Sequence, residues 1–110
     1  MHTMNVKTKY YNLLKSGTKT IELRLFDEKR QKIRVGDTIT FCDLSDPDDH
    51  FTAVVTNLHR AKSFEKLCQI ISPARAGFAT PEELVSVLQE FYTPMAQEQF
   101  GVVGIEIRRL

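Results

Sequence analysis

Residues 17–24 read Gly-Thr-Lys-Thr-Ile-Glu-Leu-Arg, and the hydrophobic period of the chain changes within this stretch. Before Gly17, apolar residues recur at spacings of three and four, which predicts one stripe of a helix. After it, Ile21, Leu23 and Leu25 alternate with polar residues, which predicts a β-strand with one buried face. Glycine suits the left-handed residue that ends a helix. The stretch therefore predicts a short helix, a turn and then a strand.

The polar side chains of this strand form the best candidate site in the sequence. In strand geometry Thr20, Glu22 and Arg24 point to one side, roughly 6.5–7 Å apart in succession. Lys19 lies at the mouth of the strand, where its long side chain can reach either face. Arginine offers forked donors, lysine a mobile charge and glutamate an acceptor, so the group can bind a polar ligand. The same spacing is also typical of an ordinary exposed strand face with an ion pair.

The rest of the pattern predicts one mixed α+β domain. The chain has 110 residues, 42% of them hydrophobic, so we assign residues 1–110 to a single domain with one core. Four or five strands and three short helices are expected in mixed order. Capping signals at Ser63 and Thr80 mark two helix starts. The sequence predicts strands around 4–6, 19–26, 38–42, 51–58 and 100–108, helices around 10–16, 64–71 and 81–92, and an acidic loop over 43–50.

Composition excludes several classes of protein. No apolar stretch approaches the ~20 residues of a membrane helix, so we expect no membrane partner. The amino terminus has no apolar signal-peptide segment. Cys42 and Cys68 lie in apolar surroundings and are expected to be reduced residues of a cytoplasmic protein. The three histidines have no metal-ligand spacing with the cysteines, and the acidic loop lacks the pattern of a calcium hand, so we expect no metal and no cofactor.

Charge is distributed unevenly along the chain. Residues 1–40 contain nine basic and four acidic side chains, whereas residues 41–110 contain six basic and ten acidic ones. Such polarity can offer an anionic partner one attractive face. The basic turn over residues 29–34 is either a solvated turn or a surface that docks an acidic protein. The oligomeric state is not indicated.

Two motifs resemble a known family. Residues 17–24 (G-x-K-x-x-E-x-R) and 35–41 (V-G-D-x-I-x-F) are similar to the ASCH family (activating signal cointegrator homology) of the PUA-like superfamily. The pairs Ser63-Phe64 and Phe91-Tyr92, with residues 100–105, extend the resemblance over essentially the whole chain. It implies an α+β fold: a small PUA-like β-barrel of about five or six strands with two or three flanking helices.

The resemblance also implies a function and a site. Family members are thought to bind RNA, in a cleft lined by Lys19, Glu22 and Arg24. We therefore expect single-stranded RNA or a modified nucleoside as the ligand, because unstacked bases can enter a small cleft. Lys19 and Arg24 are expected to contact phosphate or base, and Glu22 to accept from a base amine. Thr20 and Tyr92 complete the predicted nucleic-acid-binding set.

Aromatic residues add candidates for base stacking. Tyr10 lies on the apolar stripe of the first helix and is expected in the core, whereas Tyr11 is more open to binding. Tyr92 and Phe100 are placed either as walls of the cleft or as core residues. Arg75, on a predicted loop, is a further candidate for contact with phosphate or an ordinary solvated side chain.

A small hydrolase is the alternative function. One bacterial branch of the family hydrolyses the amide of N4-acetylcytidine with a Lys, a Thr and a Glu, and another member is reported to cleave single-stranded RNA. Lys19 matches the lysine of the first branch, but its threonine falls at Glu22 and its acid near Gly77. Thr20 leaves a hydroxyl nearby, and Glu82 or Glu83 replaces the acid if the match is shifted, although Glu83 already has a capping role. In this alternative Lys19 acts as base or nucleophile and Glu22 carries the proton.

Overall fold

One mixed sheet organises the molecule. The computed structural model describes residues 2–110. The five strands are β1 (His2–Val6), β2 (Ile21–Leu25), β3 (Thr38–Asp43), β4 (Asp46–Ala61) and β5 (Val102–Arg109). They lie in the order β1-β3-β4-β5-β2, with β1 and β3 parallel and the other neighbours antiparallel. The sheet curls into a half-barrel, so the predicted α+β class with a small PUA-like barrel is confirmed.

Four helices flank this sheet: α1 (Thr8–Ser16), α2 (Phe64–Leu67), α3 (Pro81–Phe91) and α4 (Pro94–Phe100). Two predicted caps are present. The Ser63 hydroxyl accepts from the backbone N–H of Lys66 at 3.2 Å, and the Thr80 hydroxyl accepts from that of Glu83 at 3.1 Å. Gly17 ends α1 with a φ of 86°, the left-handed conformation that the sequence predicted.

Several elements differ from the prediction. The helix expected around 64–71 is shorter, since α2 ends at Leu67. The acidic stretch over 43–50 is not a loop, because β4 begins at Asp46 and forms a tight hairpin with β3. Asp43 makes the hairpin compact, since its carboxylate accepts from the Ser45 backbone at 3.0 Å. Helix α4 was not predicted at all. Its buried residue is the polar Gln97 and its large apolar residues Met95 and Phe100 are exposed, so the sequence has no apolar stripe that would reveal this helix.

Apolar side chains form two clusters on the two sides of the sheet. One lies inside the half-barrel and includes Tyr11, Phe41 and Ile105. The other lies between the sheet and helices α2 and α3, where Ile21 of β2 packs with Leu84. Strand β2 is therefore covered by helices, and the polar residues that alternate with its apolar ones are drawn toward the interior.

The half-barrel stays open at one seam. The sheet order ends at β1 on one side and β2 on the other, and no backbone ladder joins these two strands in the described chain. Helix α1 connects them in sequence, since it follows β1 and precedes β2. The seam between the two edges is the place where side chains, rather than backbone hydrogen bonds, must hold the barrel together.

The register of β2 on β5 depends on a close approach at Gly104. This residue pairs with Leu23, and a Cβ at position 104 would lie 3.0 Å from a methyl carbon of Ile21. Replacement of Gly104 by valine is therefore expected to lower the free energy of unfolding by about 1–3 kcal/mol, because the packed core cannot yield without strain. Urea denaturation measures the change.

Arg108→Val, on the exposed end of the same strand, is the matched control. It is expected to change the free energy of unfolding by less than about 0.5 kcal/mol. An unaltered urea midpoint for Gly104→Val would show that the space behind the glycine can expand.

Candidate functional site

A cavity of about 150 Å³ opens at the seam between β1 and β2. Its walls come from the end of β1, from β2, from α1 and from the last turns of α3. Lys19, Glu22 and Phe78 are buried residues of its floor. Its mouth is formed by exposed residues, among them Lys7 and Phe91. The cavity therefore has a dry, charged floor and a solvent-accessible rim.

Glu22 lies on this floor between two cations. One carboxylate oxygen is 2.9 Å from the Lys19 ammonium, and the other is 2.8 Å from the Nη2 of Arg24. The Nε of Arg24 donates to the same second oxygen at 3.0 Å. Lys19 and Glu22 are each only 4% exposed. The sequence-predicted trio of amine, acid and guanidinium is thus brought together in the structure.

Arg24 also spans the open seam of the barrel. Its Nη2 donates to the backbone carbonyl of Asn5 in β1 at 2.9 Å. This contact links the two edge strands that lack a ladder between them. The guanidinium therefore has two roles, since it pairs with Glu22 and fixes the width of the cavity.

Opposing effects act on the charge of Glu22. Burial disfavours its ionised form, but the Lys19 ammonium and the Arg24 guanidinium outweigh burial and hold the pKa of the Glu22 carboxyl below its ordinary value. Burial likewise disfavours the charged form of Arg24, whereas Glu22 and the Tyr92 hydroxyl favour it, and the pKa of Arg24 is raised. Glu22 and Arg24 therefore each favour the charged form of the other, and Lys19 favours the charged form of Glu22.

The alternative of an ordinary exposed strand face does not hold, because Glu22 is buried and Arg24 is half-buried. Thr20 does not join them. It precedes β2, and its hydroxyl accepts from the Nε of Arg75 at 3.2 Å, outside the residues that line the cavity. Arg75 in turn pairs with Glu106 at 2.9 Å, so Thr20 belongs to a separate polar network.

The two tyrosines of α1 have the reverse of their predicted positions. Tyr11 is fully buried and donates to Asp49 at 2.7 Å. Tyr10 is half-buried and lines the cavity, where the Lys19 ammonium lies 4.9 Å from the centre of its ring. The stripe of apolar residues locates the buried side of a helix only to within one residue. Which of the two tyrosines faces inward depends on how α1 packs against the sheet.

Among the other aromatic candidates, Tyr92 lines the cavity and Phe100 does not. Tyr92 follows the last residue of α3 and is half-buried. Phe100 borders a second groove, formed by α4 and the segment around Ser63. Lys7 and Phe91 were missed as site residues, and the only signal for them was their position at the ends of a strand and of a helix.

The position matched to the acid of the amidohydrolase branch lies beside Lys19. A Cβ at Gly77 would be 3.3 Å from Cδ of Lys19. This glycine has a φ of 92° and carries no carboxylate. Gly77 therefore does not supply the acid that the resemblance to that branch implies.

Other candidate features lie apart from the cavity. The basic turn over residues 29–34 is largely exposed, and Arg30 within it pairs with Asp27 at 3.0 Å. Within residues 2–110, no cluster of His, Cys, Asp and Glu side chains has the placement of a metal site. In the same range, no helix has the length and apolarity needed to cross a bilayer. Cys42 and Cys68 are free and half-buried.

Comparisons with known proteins agree on a fold and a family. The family model described as the ASCH domain matches residues 4–110. No curated protein matches the chain. The crystal structure of hypothetical protein PH0355 is 32% identical, with a TM-score of 0.86, over 98% of this chain and 97% of that one.

Two further solved structures are similar. The solution structure of protein PF0455 from Pyrococcus furiosus is 30% identical, with a TM-score of 0.77, over 99% of this chain and 96% of that one. The crystal structure of ASCH from Zymomonas mobilis shares the fold at 10% identity and a TM-score of 0.63, over 96% of this chain and 65% of that one. Since the family model covers nearly all of the described residues, the chain belongs to the ASCH domain family, whose members are generally thought to bind RNA.

Proposed function

We propose that this protein binds single-stranded RNA by taking one unstacked base, plain or modified, into the cavity between β1 and β2. The observation that carries the proposal is the buried carboxylate of Glu22, held between Lys19 and Arg24 on the floor of an aromatic-walled cavity. A fixed acceptor beside fixed donors recognises the edge of a base. An unstacked base of a single strand presents that edge without a duplex to open.

The charges around the cavity favour an anionic ligand. Its lining contains three cationic side chains, Lys7, Lys19 and Arg24, and one carboxylate, Glu22. That carboxylate is already paired with two of the cations. A nucleotide brings a phosphate, which such a surface attracts in a salt-dependent manner.

The size and the walls of the cavity favour an aromatic ligand. The volume of about 150 Å³ is similar to that of an engineered protein cavity of about 150 Å³ that binds benzene. The rings of Tyr10 and Tyr92 are both half-buried, and each presents part of its surface to the cavity. Stacking of a base on an aromatic side chain contributes about 1–3 kcal/mol.

Two observations favour binding over the hydrolase alternative. Lys19 is ion-paired with Glu22 at 2.9 Å, which is the arrangement of a binding cation and not of a free amine nucleophile. The nearest sequence candidate for a hydroxyl, Thr20, is engaged with Arg75 outside the cavity. Lys19 and Glu22 therefore have the geometry of recognition groups.

Titration with short homopolymeric single-stranded RNAs tests the proposal directly. The backbone amide signals of residues 17–26 are expected to shift on binding, together with those of Tyr10 and Tyr92. Affinity is expected to fall with salt, with a slope of log K on log salt near −0.7 for each phosphate contacted. If saturating RNA leaves the signals of residues 17–26 unmoved, RNA does not enter this cavity.

Glu22→Gln and Glu106→Gln form a matched pair for the same titration. Each removes the charge of a carboxylate that bridges two side chains, since Glu106 contacts His59 and Arg75 outside the cavity. Glu22→Gln is expected to weaken RNA binding about tenfold or more, because a charge-assisted hydrogen bond is lost. Glu106→Gln is expected to bind as the wild type does. The hydrolase would instead be supported if the wild type cleaves RNA or deacetylates N4-acetylcytidine and Lys19→Ala does not.

The proposed acceptor role requires Glu22 to be ionised, which a pH series of urea denaturations tests. At neutral pH, Glu22→Gln is expected to cost about 3–5 kcal/mol, because it leaves two cations without their buried partner. The lowered pKa of Glu22 means that its ionisation stabilises the fold fully above the ordinary pKa of about 4.3. That contribution is lost progressively as the pH falls from there through the lower folded-state pKa.

The stability difference between wild type and Glu22→Gln should therefore be constant above about pH 4.3 and shrink below it. A difference that already shrinks near neutral pH would mean that burial, and not the two cations, dominates the Glu22 site.

A further inference from the structure

Two side chains at the mouth of the cavity have no role in the recognition of a buried base. Phe91, on the last turn of α3, is 43% exposed although it is a large apolar residue. Lys7, which follows β1, is exposed, and its ammonium lies 4.3 Å from the centre of the Phe91 ring. Both line the rim rather than the floor. A ring that is open to solvent beside a cation is a suitable surface for a second nucleotide.

Lys7 has the charge that such a contact needs. Within the described residues its ammonium contacts the Phe91 ring and has no carboxylate at ion-pair distance. The other cations of the cavity, Lys19 and Arg24, are both committed to Glu22. Lys7 is therefore the cavity cation that can pair with an incoming phosphate without breaking an ion pair.

Leu44 extends the apolar surface of the rim. It is 54% exposed and lines the same mouth, in the turn that joins β3 and β4. With Phe91 it gives the rim two large apolar side chains that the fold leaves uncovered. Single exposed apolar residues need no explanation, but two at the rim of one cavity, beside a lysine that has no carboxylate partner among residues 2–110, favour a contact surface.

We propose that Lys7, Phe91 and Leu44 form a rim subsite for the nucleotide adjacent to the base held in the cavity. The adjacent base stacks on Phe91 and displaces the ammonium of Lys7 from the ring, and the ammonium then pairs with the phosphate between the two nucleotides. The subsite rests on the proposed function and adds to it that the ligand is a base within an RNA strand, not a free nucleoside.

A second groove on the same protein provides an internal comparison. Phe100, 38% exposed, and the exposed Lys66 border it, so it offers the same two residue types as the rim. Arg60 and Lys62 line it as well, together with the exposed carboxylates of Glu65 and Glu98, which repel phosphate. The residues that line the cavity include no exposed carboxylate, so phosphate meets no such repulsion at its rim.

The test compares the four ribonucleosides with the corresponding homopolymeric trinucleotides by calorimetric titration of the full chain. Trinucleotides are expected to bind more tightly than nucleosides of the same base. Phe91→Ala should weaken trinucleotide binding by roughly 5- to 140-fold, the range for loss of one stacked base. Lys7→Gln should reduce the salt slope of trinucleotide binding by about 0.7, the value for one phosphate contact on a single strand.

Both substitutions should leave nucleoside affinity within about twofold, because neither residue lies on the floor of the cavity. Phe100→Ala and Lys66→Gln are the matched controls, and both should bind trinucleotides as the wild type does. All four residues are exposed, so these variants are expected to fold.

The outcomes separate the two proposals. Trinucleotides that bind the Lys7 and Phe91 variants with unchanged affinity, while still shifting residues 17–26, would overturn the rim subsite and leave the cavity as the binding site. Equal losses for the Phe100 and Phe91 variants would also overturn it. If neither nucleosides nor trinucleotides bind the wild type, the proposed function fails and the subsite with it.

Discussion

A buried carboxylate shared by two cations is the interaction on which the site depends. Charged groups are costly to remove from water, and Glu22 is stable as an ion there only because Lys19 and Arg24 each supply a partner within 3.0 Å. The same interaction gives Arg24 a fixed position, from which it reaches the carbonyl of Asn5 across the open seam. The pair between Glu22 and Arg24 therefore stabilises the polar floor of the cavity and also holds Arg24 in the position from which it closes the half-barrel.

The open seam explains why the site lies where it does. A sheet that closed through a β1–β2 ladder would satisfy the backbone at its edges and leave no room for a ligand between them. Here the two edges are joined by a side chain, and α1 and α3 cover the space that remains. The result is a cavity with aromatic and apolar side chains in its walls and with a carboxylate, that of Glu22, which is already paired with its two cationic neighbours.

Sequence reasoning predicted the local elements well and the packing between them less well. The change of period around Gly17 predicted the end of α1 and the strand β2, and the motif in that stretch predicted which side chains meet. It did not predict that Glu22 is buried, because the alternation within a strand does not say whether a helix covers its polar face. The predicted positions of Tyr10 and Tyr11 were the reverse of those in the structure, because an apolar stripe locates the buried side of a helix only to within one residue. Lys7 and Phe91 are far apart in sequence and become neighbours only through the fold.

The residues of the cavity form a buried group and an exposed group, which differ in how much they contribute to the stability of the fold. The floor residues Lys19 and Glu22 contribute to folding and, in the proposed function, to recognition, so any change there alters both at once. The rim residues Lys7 and Phe91 are exposed, and the fold gains little from them. In the proposed function, such a division lets the rim change its preference for neighbouring nucleotides without a cost in stability, while the floor is constrained by the seam that it holds together. In the proposed function, stability and strand recognition are separate because, within the part of the chain that the structure describes, Lys7 has no carboxylate partner and the ring of Phe91 is exposed.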